Sequence, residues 1–263
     1  MLMITVNKLT YAVGKKKLLS NISFEVKGGE MLSVIGANGA GKSTLLKLLC
    51  KEQLADEGNI QIHGKPIQHY SLKELAKFRA VLSQHHTLAV SFTVREIVLM
   101  GRYPHFEQKP GHADFEVVRV VMDLTGVTEF ADRAYNTLSG GEQQRVQLAR
   151  VIAQIYDQPK GILFLDEPTN GLDLLHQQQA LQLARSLADS GYTVISILHD
   201  INFASRYSNK VLLLKNGNTI AYGTPQEVIT CEHIHTAFNI KVKLLAPEDG
   251  KCPLVIPSAI LNE

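Results

Sequence analysis

The 263 residues are 45% hydrophobic and 20% charged, a globular composition that excludes a disordered chain and is long enough to bury a sizeable core. With 27 basic and 25 acidic residues the net charge is +2, without the basic excess of a nucleic-acid-binding surface, so no nucleic-acid partner is expected. The three cysteines, Cys50, Cys231 and Cys252, are scattered, which argues against a disulfide framework or zinc site; Met1 to Val6 lacks a basic region followed by a long apolar run, so no leader peptide is expected, and no stretch approaches ~18 consecutive apolar residues.

The expectation is a soluble, cytoplasmic protein that reaches a membrane only by docking onto another protein. Residues 3–13 alternate and are β-rich, and Leu18 to Val26 reads as a second strand across a turn at Gly14 to Lys17. Met31 to Ile35 is a short apolar strand. It leads into a glycine loop, followed by a helix whose apolar residues include Leu45, Leu46, Leu48 and Leu49. Asn59 to His63 is a strand with a turn at Gly64-Lys65-Pro66. Leu72 to Phe78 is a short helix, and Ala80 to Ser83 a strand that ends at Gln84.

Helical spacing then dominates, from Thr93 to Gly101, Asp114 to Gly126 and Arg145 to Ile155, with a loop over Tyr103 to His112. Residues 87–158 are therefore read as an α-helical insert in an α/β domain formed by 1–86 plus 159–263. Ile162 to Leu165 is a continuous apolar run, the pattern of a parallel strand buried on both faces. A helix over Gln177 to Asp189, a buried strand over Thr193 to Leu198 and a helix from Ile201 to Tyr207 follow. Val211 to Leu214 and Thr219 to Tyr222 are strands joined by an Asn216-Gly217 turn. Pro225 to Ile229 opens a C-terminal helix, and Val242 to Leu245 and Leu254 to Ile256 flank Pro247 to Gly250 as a final hairpin.

Gly36-Ala37-Asn38-Gly39-Ala40-Gly41-Lys42-Ser43-Thr44 has the form G-x-x-x-x-G-K-[ST], a phosphate-binding P-loop between strand and helix. Its glycines let backbone N–H groups approach a phosphate, and the helix adds its positive dipole end. Lys42 is placed to reach the β- and γ-phosphates, and Ser43 to offer its hydroxyl to Mg²⁺. At the end of the Ile162 to Leu165 strand, Asp166 is a candidate Mg²⁺ ligand and Glu167 a candidate group to polarise an attacking water. Leu138-Ser139-Gly140-Gly141-Glu142-Gln143 precedes a helix over Gln144 to Ile155. It forms either an N-cap with a tight turn or a second phosphate cradle, one that would serve another copy's nucleotide. Tyr11 is either an adenine-stacking aromatic or a half-buried strand tyrosine.

These motifs, with Gln84, Leu163 to Thr169, Gly171-Leu172-Asp173 and Leu198-His199-Asp200, stand in the order found in ABC-transporter ATPases, which the chain resembles over nearly its whole length. The resemblance implies a P-loop NTPase (RecA-like) core with an N-terminal antiparallel β subdomain and an α-helical insert. It implies that Tyr11 stacks on adenine and that Gln84 contacts Mg²⁺ and the attacking water and reports to the transmembrane partner. Ser139, Gly140 and Gly141 are then the signature that closes over the γ-phosphate of the opposite subunit, Asp173 is the dimer-interface residue, and His199 contacts the γ-phosphate. Asn170-Gly171 departs from the Ser-Ala that many members carry there.

Arg79 to Gln84, Phe92 to Glu96, Gly101 to His105, Leu172 to Gln177 and His199 to Asn202 resemble ATPases of iron-chelate, haem and cobalamin importers. Gln143 to Gln154 looks most like the haem branch, although Ser83 stands where proline is usual. The resemblance implies Mg-ATP hydrolysis by a homodimer bound to an integral-membrane permease dimer, at the cytoplasmic face of the bacterial inner membrane. A separate substrate-binding protein would stand upstream. His85-His86 and His233-x-His235 lack a recognisable metal spacing, so direct haem binding by this chain is not expected. A soluble ABC protein without a permease would ordinarily carry two cassettes or a long coiled-coil insert. A small P-loop kinase would leave Leu138 to Glu142 and His199 unexplained.

Overall fold

The computed structural model describes residues 1–83, 92–245 and 252–260. The chain divides into two compact units, Met1–His69 with Ile195–Glu263, and Tyr70–Val194. In the first unit, β1 (Leu2–Val13) and β2 (Lys16–Lys27) form the expected hairpin. Then come β3 (Met31–Gly36), α1 (Lys42–Leu49), β4 (Glu57–Ile62) and β5 (Lys65–Pro66). The antiparallel order is β2-β1-β4-β5. Lys65 and Pro66, expected in a turn, pair with Ile62 and Gln61 instead. His63 and Gly64 make the turn with consecutive φ of 52° and 76°, the pattern of a tight hairpin.

The second unit contains α2 (Leu72–Phe78), β6 (Arg79–Leu82), α3 (Val94–Met100), α4 (His112–Leu124) and α5 (Gly140–Ile155). β7 (Ile162–Asp166) and α6 (Leu174–Asp189) complete it, and β8 (Thr193–Ile197) carries the chain back to the first unit. Three helical boundaries move for one reason, a cap. Ser139 accepts from Glu142 N, and Glu142 reaches back to Ser139 N at 2.7 Å, so α5 starts at Gly140 rather than Gln144. Asp173 accepts from His176 N at 2.9 Å and starts α6 at Leu174. Asp114 accepts from Gly111 N at 2.9 Å, so α4 opens within the expected loop, which also holds a 3₁₀ turn over Tyr103–His105.

This unit is also tied by a buried cation. Arg102 donates from Nε to Asp114 Oδ1 at 3.0 Å, from Nη1 to Ala153 O at 2.8 Å and from Nη2 to Asp157 Oδ2 at 2.8 Å. Its side chain therefore links the start of α4 to the end of α5. Burial works to raise the Asp157 carboxyl, but the hydrogen bonds from Arg102 and Gln158 prevail and lower it to about 2.

The first unit resumes with α7 (Ile201–Tyr207), β9 (Lys210–Lys215) and β10 (Asn218–Gly223). α8 (Pro225–Val228), α9 (Cys231–Phe238), β11 (Ile240–Leu245) and β12 (Leu254–Ile260) follow. The single C-terminal helix expected from Pro225 is broken at Ile229 because Thr230 caps α9, accepting from His233 N at 3.1 Å. β11 and β12 pair as the expected hairpin over Ile229, Ile234, Val242 and Val255, although Pro247 to Gly250 lie outside the described residues. β3 is buried throughout and runs parallel to β9, with Leu32 opposite Lys210 and Gly36 opposite Leu214. Two buried strands thus end side by side where the P-loop begins.

Candidate functional site

The first unit brings Tyr11, the P-loop and His199 into one body. Gly36 ends β3 at φ 153°, and a Cβ there would fall 2.3 Å from Leu214 O, so only glycine fits this approach to β9. Lys42, 7% exposed, folds back over the loop and donates to Gly36 O at 2.7 Å and Ala37 O at 3.1 Å. Its cation is held over the loop by neutral carbonyls, which phosphate oxygens can replace. Asn38 and Gly39 are exposed at the tip, while Ala40 is buried.

Gly41 caps α1 without a side chain, and no acidic residue occupies the first turn. The dipole end at Lys42, Ser43 and Thr44 is therefore uncompensated and suits an anion. Tyr11, half-buried, lies opposite Leu19 across the hairpin, and a Cβ at Gly41 would touch Leu19 Cδ2 at 2.7 Å. Strand pairing thus carries Tyr11 toward the start of α1. Leu198 N donates to Val34 O at 3.2 Å, and the next residue, exposed His199, follows toward the same end of β3.

The second unit carries Asp166, Glu167 and Ser139 to Gly141. β6 and β7 are parallel, Arg79 opposite Ile162 and Leu82 opposite Leu165, so Asp166 stands at the carboxyl end of that pair. Glu167 has φ 53°, a left-handed conformation costing a non-glycine residue about 1–2 kcal/mol. A turn bond from Asn170 N to Glu167 O at 3.1 Å follows it. Such strain concentrates at functional positions. Gly140 and Gly141, read as preceding the helix, lie inside the first turn of α5. Glu142 is held below its usual carboxylate range by the backbone and hydroxyl hydrogen bonds of Ser139. Hydrogen bonds from His176 likewise lower Asp173.

Gln84 and His85-His86 lie outside the described residues. His233 Nδ1 makes a local contact with Val228 O at 2.9 Å, and no cluster among the described residues could hold a metal through three or more His, Cys, Asp or Glu side chains. Ser43 in the first unit offers a hydroxyl and Asp166 in the second a carboxylate, each an oxygen donor of the kind Mg²⁺ takes. Sequence reading missed the neighbour of the P-loop. Asn216-Gly217 was legible only as a hairpin turn, yet Gly217 N donates to Ala40 O at 3.0 Å.

The ABC transporter family matches residues 19–170. The Hemin import ATP-binding protein HmuV of Gloeobacter violaceus is 46% identical over 243 residues, 91% of this chain and 88% of that protein. The protein of the same name from Escherichia coli O157:H7 is 40% identical over 258 residues, 97% of this chain and 99% of its own. A solved chain described as part of a metal-chelate type ABC transporter, in an inward-facing conformation, superposes with TM-score 0.83 at 28% identity, covering 98% of each chain. A dimeric ATP-binding cassette in a post-hydrolysis state with ADP and Pi gives TM-score 0.74 at 27% identity, over 84% of this chain and 98% of that one.

Proposed function

Because the chain belongs to the ABC transporter family, we propose that it is the ATP-hydrolysing subunit of an importer, with haem as the cargo. The observation that carries the ATPase reading is the P-loop, a glycine-bounded loop on a buried strand with Lys42 folded over it. The cargo rests on the relatives named for hemin import, 39–46% identical across at least 91% of this chain.

Two copies sandwich two nucleotides, each between the P-loop of one copy and Ser139, Gly140 and Gly141 of the other. Tyr11 stacks on the adenine, and the amides of Gly36 to Thr44 hold the phosphates. Ser43, Gln84 and Asp166 would hold Mg²⁺, which when bound neutralises charge on the β- and γ-phosphates. Glu167 accepts a proton from the attacking water and orients it, while Lys42 and His199 stabilise charge on the γ-phosphate. Closure of the dimer excludes water and completes each site.

No helix among the described residues is long and apolar enough to cross a membrane. In the importer reading the chain works at the cytoplasmic face of the inner membrane, on an integral-membrane permease dimer fed by a substrate-binding protein. The helical segment 87–158 supplies the permease-facing groove, and ATP-driven closure is coupled to the permease's alternating access.

The test uses Glu167→Gln with wild-type protein and its co-purified permease. The variant should bind ATP and accumulate as a dimer, while hydrolysis falls about 10²–10⁴-fold, the range for loss of a positioned base. Normal hydrolysis by the variant removes Glu167 from its role. Proteoliposomes should take up haem in preference to a ferric siderophore or cobalamin. Uptake of either of those instead reassigns the cargo, and ATPase stimulation by ribosomes or DNA alone displaces the importer reading.

A further inference from the structure

The P-loop is held at a point far from it in sequence. Gly217 N donates to Ala40 O at 3.0 Å, and Gly217 O accepts from Ser20 N at 2.8 Å. Gly217 is the second residue of the β9–β10 turn, where Asn216 and Gly217 have φ of 48° and 76°. A Cβ at Gly217 would lie 2.5 Å from Leu18 O. A Cβ at Gly41 would lie 2.9 Å from that same oxygen and 3.6 Å from the Gly217 Cα. Three backbones, the P-loop, the β9–β10 turn and β2, therefore meet closely, with the Leu19 side chain packed against Gly41.

The turn is itself anchored. Lys215, at the end of β9, donates from Nζ to Thr236 O at 2.5 Å and to Asn239 Oδ1 at 3.1 Å, fixing it to α9 and its cap. A cavity of about 160 Å³ lies between the loop at Ala37, Asn38 and Ala40 and the turn and α9 at Asn216 and Phe238. The Gly217–Ala40 bond therefore bridges the two beside an open space.

The peptide group is planar and trans, so its C=O and N–H point in opposite directions. A bond that holds the Ala40 carbonyl toward Gly217 therefore aims the Gly41 N–H away from the turn. That amide begins the run of donors that enters α1 at Lys42. We propose that Gly217 is a positioning residue of the nucleotide site, which sets the Ala40–Gly41 peptide in its phosphate-binding orientation from the β9–β10 turn. This rests on the nucleotide-binding reading above. It adds that the P-loop's conformation is set by a strand pair made late in the chain.

The experiment follows glycine amides in ¹⁵N-glycine-labelled full-length protein titrated with Mg-ATP. Gly36, Gly39, Gly41 and Gly217 should shift together, and hydrogen exchange at Gly217 should slow by about tenfold or more as its bond to Ala40 is stabilised. A response at Gly36, Gly39 and Gly41 with none at Gly217 overturns the proposal alone. No response at any of the four overturns the nucleotide reading and the proposal with it. In Gly217→Ala, KM for ATP should rise about tenfold or more while kcat stays within about threefold, the split expected when binding geometry is lost. An unchanged KM with only a lower folded fraction means a merely structural turn and overturns the proposal. If Gly217→Ala does not fold, the wild-type titration decides.

Discussion

Two strands, β3 in the first unit and β7 in the second, run buried through their units and end in opposite ways. β3 ends in Gly36, where the demanding backbone is met by the absence of a side chain. β7 ends in Asp166 and Glu167, and Glu167 holds a left-handed backbone while keeping its carboxylate. The difference separates two kinds of chemistry. A phosphate is bound by main-chain donors, so its loop gains from losing side chains. In the proposed function a water is activated by a side chain, so that strand end carries one and bears the conformational cost. The units differ likewise in how they are held. Buried apolar strands and close backbone contacts dominate around β3, whereas a buried guanidinium ties α4 to α5 in the second.

The largest effect expected is at the glycine end. Gly36→Ala should cost about 4 kcal/mol, combining overlap with Leu214 O and a left-handed backbone, and should abolish ATP binding. The denaturation midpoint and a nucleotide titration measure both, and a stable variant that binds ATP would break the contrast. Arg102→Met should cost about 3 kcal/mol, because Asp114 is left buried without its cation. Proteolysis should then cut first within Tyr70–Val194, and cuts spread evenly over the chain would remove the distinction between the units.

Acid offers a finer test. The Asp157 carboxyl is lowered from 3.8 to about 2 in the folded chain. A depressed carboxylate contributes its stability fully above the unfolded value and loses it as pH falls through the folded one. The second unit should therefore weaken between about pH 4 and pH 2, and Arg102→Met should flatten that limb of the denaturation profile. The smallest effect is a gain. Glu167→Gly relieves the left-handed backbone but adds unfolded-state entropy, for a net stabilisation of about 0.5–1 kcal/mol with hydrolysis lost. A destabilised variant would mean that Glu167 carries no such strain.

The P-loop and the hydrophobic strands around it were legible because glycine spacing and apolar runs are local signals. The start of α5 was not, because Gly140 and Gly141 are poor helix formers and a reading by propensity begins after them. The Ser139 and Glu142 pair was the signal available, and it outweighs two glycines by satisfying two backbone donors at the helix N-terminus. The break at Ile229 follows the same logic, with Thr230 capping a new helix. The backbone at Glu167 left no trace, since composition does not encode φ. Nor did the Arg102 network or the contact of Gly217 with Ala40, which join residues far apart in sequence. What a single sequence conveys well is chemistry carried on contiguous residues. What it conveys poorly is the neighbour supplied by another segment.

The order in which the chain is made gives that last contact a further meaning. The P-loop leaves the ribosome early, but its partners Leu214 and Gly217 follow only after the whole of Tyr70–Val194. At about 5–20 residues per second, roughly ten seconds or more separate the loop from its support. On the role proposed for Gly217, a nascent chain exposes its glycine loop before it can shape it, and a subunit not yet made through β9 should fail to capture nucleotide. On that proposal, competence to bind marks a chain made through the β9–β10 turn, and a chain truncated before β9 should fail to hold ATP.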